Sequence, residues 1–409
     1  MRRVAATSRR IDEAVARLVP GALTEESLQQ HIAPLFSRVL AGDRIYLANH
    51  SLGRPLDAMA EDVREATCVW ETKLGDAWDA WLAEEEAFRT RIAQLIHAPR
   101  VDCIVPKTSA GQGLRAVLNA LSGTPRILST RGEFDSIDVL LKQYASLGRI
   151  EIQWIEPDAE GLFTVPGVME HLRPGIDLVV ISQVMFLNGQ VVHNLDQLAD
   201  ACHTVGAKLL LDSYHAVGVF PVDIVALRAD FAIGGSYKYL RGGPGACFLY
   251  LSPEILAGGL RPLDTGWFAS ENTFAYERPD PPVLRTGGDA FLESTPPVLT
   301  YYQARSGQQF ALAMGVERLR EYGRDQLNRL KRYLADAGIP AIGGDADRGA
   351  FLCFRHKNAR VLAKKAAESN VITDARGEWL RLCPDCLTRE EELRTAASAL
   401  QRALDKMRP

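Results

Sequence analysis

The sequence predicts an α/β protein: a large domain on a mostly parallel, helix-covered sheet, then a smaller C-terminal α+β domain. Three observations predict it. Short, largely apolar runs of strand length recur between about residues 100 and 251. Segments with helical spacing fall between several of them. After residue 300 the pattern changes to long charged helices.

In chain order, Phe88, Ile92, Leu95 and Ile96 mark the first clear amphipathic helix. The runs VDCIV (101–105), RILS (126–129), IEIQWI (150–155), DLVVIS (177–182), AKLLLD (207–212), DFAIGG (230–235) and ACFLYL (246–251) then read as buried strands. Between them, Leu114, Val117, Leu118 and Leu121 share one helical face, as do Leu195, Leu198, Ala199 and Cys202. The stretch GVERLREYGRDQLNRLKRYLADAG reads as a long charged helix, and AFLCF (350–354) as a strand. A last helix is opened by Thr388, with Glu391 completing a capping box. The resulting division is an N-terminal arm (1–45) joining the small domain, a large domain (46–300) and a small C-terminal domain (301–409).

A chain of 409 residues is too long for one small core. With 47% hydrophobic and 24% charged residues and a net charge of −4, nothing calls for nucleic acid or an anionic membrane as partner. The basic N-terminus lacks an apolar signal-peptide core, and no run approaches the roughly 18 apolar residues of a membrane span. Seven scattered cysteines fit a reducing, cytoplasmic setting. Cys383 and Cys386 form a CxxC, but their spacing to Cys353 and His356 does not suit zinc, so no metal site is expected.

The chemistry-bearing residues cluster where predicted strands end, which is where open α/β sheets collect ligands. PKTSAGQG (106–113) follows a strand and opens a helix. Thr108, Ser109 and the free N–H groups at that helix start suit a phosphate. EFDSID (133–138) offers the flat face of Phe134. LLLDSYH (209–215) places Asp212 at a strand end with His215 three residues on, and GGSYKYLRGGPG (234–245) carries Tyr237 and Lys238 among glycines. A phosphate cradle, an aromatic plate, a strand-end carboxylate and an amine together match the needs of pyridoxal 5'-phosphate (PLP). The carboxylate keeps the ring nitrogen protonated, and a desolvated lysine can be neutral when it attacks.

From about residue 44 to residue 388 the sequence resembles the kynureninases, within the class V aminotransferases and the fold-type I PLP-dependent enzymes, whose fold is aspartate aminotransferase-like. The resemblance rests on YLANHSLG (46–53), DSYHAVGVFPVDI (212–224), GGSYKYLRGGPG, PLDTGWF (262–268), STPPVL (294–299) and LRLCPDCL (380–387). It implies that Lys238 carries the cofactor, Tyr237 touches the phosphate and serves as an acid, and Asp212 pairs with the ring nitrogen beside His215. Phe134 stacks on the ring, and Thr108, Ser109 and Ala110 hold the phosphate. Ser182 stands at a cofactor-contacting threonine of the family, and Arg381 clamps the substrate α-carboxylate. Trp267 and Thr295 match residues contributed across a dimer interface, so a homodimer is implied. The implied reaction is hydrolysis of the Cβ–Cγ bond of kynurenine or a related γ-keto amino acid, giving an acid and alanine.

Four places depart from the family pattern. Ile137 falls where an aspartate is expected, unless Asp138 replaces it after a one-residue shift. His50 replaces an asparagine, Arg241 replaces the asparagine before GGPG, and SQVMF puts Met185 and Phe186 at polar positions. His50 and Arg241 are therefore candidate substrate contacts, with backbone satisfaction and a solvated turn charge as their alternatives. A class V aminotransferase or a desulfurase-like lyase is the nearest rival, although a desulfurase needs a mobile cysteine facing the ring. Gly111, Gly113 and Ala116 form a GxGxxA that suggests an NAD-binding oxidoreductase, but five residues separate it from the preceding strand.

Overall fold

The computed structural model describes residues 6–18 and 20–407. Twelve strands are named in chain order: β1 (Ile45–Tyr46), β2 (Ile104–Lys107), β3 (Arg126–Thr130), β4 (Glu151–Ile155), β5 (Leu178–Ser182), β6 (Lys208–Asp212), β7 (Phe231–Gly235), β8 (Cys247–Leu251), β9 (Leu352–Arg355), β10 (Val371–Ile372), β11 (Asp374–Arg376) and β12 (Trp379–Leu382). Seven of them form one sheet in the order β2-β8-β7-β6-β5-β3-β4. All neighbours pair in parallel except β8, which runs against both β2 and β7.

Both faces of this sheet are covered, which is why its strands read as apolar runs. In β6, Leu209 and Leu211 face one core layer with Phe88, Ile92 and Val179. Leu210 faces the other with Leu114, Val117 and Ile233. Helices Ala110–Ala120, Asp135–Ser146 and Leu195–Thr204 supply the crossovers between parallel strands. The strand expected at 101–105 begins only at Ile104, because Val101–Cys103 turn in a 3₁₀ helix. There the Arg100 guanidinium is tied back to the Asp102 carboxylate by two bonds of 2.8 Å.

The C-terminal part carries an antiparallel sheet, β11-β12-β9, and the short β1–β10 pair. Through that pair Ile45 and Leu47, early in the chain, share a core with Leu330, Leu352, Leu380 and Leu393. The last helix runs Glu390–Asp405, and its start lies one residue later than Thr388 and Glu391 predict. The Arg389 N–H donates to Glu392, while the Thr388 hydroxyl accepts from Arg54 and from the Asp385 N–H. Among the described residues, no helix is long and apolar enough to cross a membrane.

Candidate active site

Parallel strands bring their carboxyl ends to one side of a sheet, so β6 and β7 deliver Asp212 and the Ser236-Tyr237-Lys238 turn side by side. A cavity of about 610 Å³ opens there, lined by Thr108, Ser109, Ala110, Phe134, Ser182, Asp212, His215, Tyr237 and Lys238. The loop carrying Lys238 is seated on residue 53. The Gly53 N–H donates to the Tyr237 carbonyl at 2.9 Å, and any Cβ there would overlap the Lys238 carbonyl.

Lys238 is 5% exposed, and its Nζ lies 2.7 Å from His215 Nε2. It also sits 4.9 Å from the centre of the Tyr214 ring and 5.3 Å from that of Phe134. Burial lowers its pKa to about 7; the negative charge of Asp212 resists, and Arg381 and Arg376 push further down. An amine of that kind is neutral in a useful fraction at ordinary pH. Burial raises the Asp212 carboxyl, held back by the Tyr214 N–H and by Lys238. The Tyr214 N–H reaches only Asp212 Oδ1, at 2.9 Å. Burial and the neighbouring Lys238 charge keep His215 well below its ordinary pKa, so it is neutral; its Nδ1 lies 3.1 Å from the Tyr239 hydroxyl.

At the opposite wall, Ser109 caps the helix Ala110–Ala120, its Oγ accepting the Gln112 N–H at 3.0 Å. The Gln112 side chain in turn accepts from the Thr108 N–H and hydroxyl at 2.7 and 3.0 Å. This end of the helix suits an anion, and Arg115, which the sequence did not single out, lines the same cavity. The GxGxxA glycines serve another purpose. A Cβ at Gly113 would come within 2.8 Å of Ile233 and one at Gly111 within 3.1 Å of Leu140, so these glycines let the helix pack closely. They lie inside the helix rather than in a tight turn before it, which removes the ground for a dinucleotide fold.

Phe134 precedes the helix Asp135–Ser146 and meets Phe186 edge-on at 5.3 Å. Ser182 ends β5 opposite Asp212 and donates from its hydroxyl to Glu133 at 2.6 Å. Glu133 is a buried carboxyl that sequence reasoning passed over. It also accepts from the Thr130 hydroxyl and the Ser182 N–H. Burial raises it to about 7, those hydrogen bonds resist, and the Asp212 charge adds to the rise.

Five expected site residues do not line this cavity. Arg381 lies just behind it, donating to the carbonyl of Phe186, which does line it, and to Asp374. His50 is fully buried, with Nε2 3.2 Å from Asp374, and burial lowers its pKa to about 3. Arg241 is 2.7 Å from Asp385, with its guanidinium 5.3 Å from the centre of the Phe36 ring and 5.6 Å from that of Phe310. It borders a separate cavity of about 80 Å³, so it is neither a solvated charge nor in contact with the larger cavity. Trp267 packs among Trp78, Phe268, Phe274 and Tyr276, and Thr295 lies beside Glu293 and Pro296. Of the residues at departures, Ile137 is buried and lines the cavity, whereas Asp138 pairs with Lys142 on the helix surface at 2.6 Å. Cys247 also lines the cavity, with its Sγ 3.4 Å from the Tyr214 hydroxyl and its thiol pushed up to about 11, chiefly by burial.

The residues present fit PLP. A buried amine, a strand-end carboxylate, a flat aromatic side chain and a capped helix start face one space wide enough for a small phosphorylated ring. The comparisons with known proteins agree. The kynureninase of Deinococcus radiodurans is 28% identical over 358 residues, covering 82% of this chain and 84% of its own. An uncharacterized aminotransferase of Bacillus subtilis is 26% identical over 349 residues, covering 83% of this chain and 90% of its own. The solved structure of C-DES with glycine covalently linked to its PLP cofactor superposes with a TM-score of 0.80 at 18% identity, covering 90% of this chain and 98% of its own. The Aminotransferase class-V family matches residues 73–375. The chain belongs to that family, has its PLP-dependent transferase fold, and takes pyridoxal 5'-phosphate as cofactor.

Proposed function

We propose that the chain is a hydrolase that cleaves the Cβ–Cγ bond of kynurenine or a related γ-keto amino acid, releasing an acid and alanine. The observation that carries this reading is the buried Lys238 amine, lowered to about 7 and lining one cavity with Asp212, in a chain similar to several kynureninases. When bound, the cofactor supplies an electron sink for the carbanion at the amino acid's Cα. Lys238 is the base that takes and returns the Cα proton, and neutral His215 at 2.7 Å orients it. Asp212 holds a proton on the ring nitrogen. Burial raises the Tyr237 phenol, which keeps it protonated and able to act as a donor. Thr108, Ser109 and the N–H groups of the capped helix receive the phosphate, and Arg381 receives the α-carboxylate.

Phe134, Ile137, Leu140, Val184 and Phe186 line the same cavity, which favours an uncharged, largely apolar acyl group on the substrate. Cys247 does not favour a desulfurase, because its thiol is buried and held protonated beside Tyr214. Trp267 and Thr295 we assign to a second copy of the chain in a homodimer. Leu263, Phe274 and Tyr276, in the same segment as Trp267, are exposed apolar side chains that such a contact would cover.

The test is incubation of the PLP-loaded protein with kynurenine, 3-hydroxykynurenine and aliphatic γ-keto amino acids, with and without a keto-acid acceptor. Release of alanine and the matching acid without an acceptor is the expected result. Turnover only when the acceptor is present would make it an aminotransferase, the reading favoured by the Bacillus subtilis relative.

A further inference from the structure

We propose that Asp374 is an exchangeable internal counter-ion for Arg381, yielding the guanidinium to the carboxylate of an incoming amino acid and passing to Arg376. The proposal rests on the reading that the chain binds an amino acid through Arg381. It adds a residue that decides which ligands can enter.

Asp374 and Arg381 sit directly opposite each other in the β11–β12 hairpin. A single oxygen of Asp374, Oδ2, accepts from Arg381 Nη2, lies 3.2 Å from His50 Nε2 and is 3.6 Å from Arg376 Nε. The contact to Arg381 is thus one-pronged, where a carboxylate held permanently by a guanidinium would gain most from two parallel bonds. Arg381 Nε and His50 Nδ1 are both buried and have no hydrogen-bond partner among the described residues. Arg381 also donates to the carbonyl of Phe186, at the cavity wall, and its guanidinium lies 5.5 Å from the centre of the Phe351 ring.

The burial of Arg381 dictates the exchange. Its side chain is 3% exposed, and a buried charge without a partner is strongly unfavourable, so an anion must reside there before any ligand arrives. Asp374 meets that need. It can leave only if another anion takes its place and another cation receives it. The half-exposed Arg376 is already within reach. A ligand without a carboxylate has nothing to exchange, so the pair excludes amines and esters by leaving Asp374 in place.

The experiment titrates the PLP-loaded protein with L-alanine and, in parallel, with L-alanine methyl ester, following the cofactor's visible spectrum. In Asp374→Asn the competing charge is gone, and L-alanine is expected to bind about tenfold tighter or more, with the ester unchanged. Unchanged or weaker binding of L-alanine would overturn the proposal, because Asp374 would then merely aim Arg381. Should that variant fail to fold, Arg376→Gln carries the test. It should weaken L-alanine several-fold and spare the ester, and equal affinities would overturn the exchange. Wild-type protein that takes the ester as well as the acid would instead overturn the amino-acid reading, and this inference with it.

Discussion

At the scale of single residues, desolvation governs the site. Lys238, Asp212, His215 and Glu133 are all buried, and for each of them burial is the largest cause of a shift toward the neutral form. Glu133 gives this a measurable consequence. Its pKa rises from 4.5 to about 7, so between those values the folded protein holds a proton that the unfolded chain has released. Its contribution to stability is therefore greatest below about pH 4.5 and falls as pH rises toward 7, by roughly 3 kcal/mol in all. In cofactor-free Glu133→Gln, urea unfolding between pH 5 and pH 8 should lose that component, and the variant should gain on the wild type as pH rises. An unchanged pH slope would contradict the assignment. That Lys238, Asp212 and Phe134 meet at one cavity was legible in the sequence because each ends or follows a run that reads as a strand. Glu133 stood in the same quoted stretch but gave no signal, since its role depends on Ser182, which reaches it across the sheet. Asp374 was invisible for the same reason, as its partners Arg381 and His50 meet it only through tertiary pairing.

At the scale of elements, the central sheet was the most legible part. β3 to β8 fall within a residue of the runs that predict them; β5 to β8, covered on both faces, leave an unbroken apolar signature, and the edge strand β4 an alternating one. The ends were less so, as the shifted starts of β2 and of the last helix show, because polar side chains reassign the terminal hydrogen bonds. The small strands β1, β10, β11 and β12 are two to four residues long and carry too little pattern to be read. One of the junctions they create abuts the site: the loop after β1 brings Gly53 against the turn that carries Lys238. Gly53→Ala should force that turn to move. The expected outcome is much weaker PLP binding, read as loss of the lysine-linked visible band, in a protein whose far-UV circular dichroism is retained. Full retention of the band would show that the turn does not depend on this contact.

At the scale of the whole molecule, ion pairs tie distant parts of the chain together. Asp385, near the C-terminus, is held by Arg54 and by Arg241, which belongs to the lysine loop. Arg305, in the helix Val298–Met314, gathers Asp62, Glu65 and Glu84. Arg241, which the sequence offered as a substrate contact or a solvated turn charge, is in the structure a buried tie that joins the lysine loop to the C-terminal segment. Among the described residues a single lysine, Lys238, stands at the cavity to hold the cofactor covalently. The direct measurement is borohydride reduction of the PLP-loaded protein followed by peptide mass spectrometry. A phosphopyridoxyl group on Lys238 alone, with labelling abolished in Lys238→Ala, is the expected result; a label on another lysine, or none on this one, would rule out Lys238 as the attachment point.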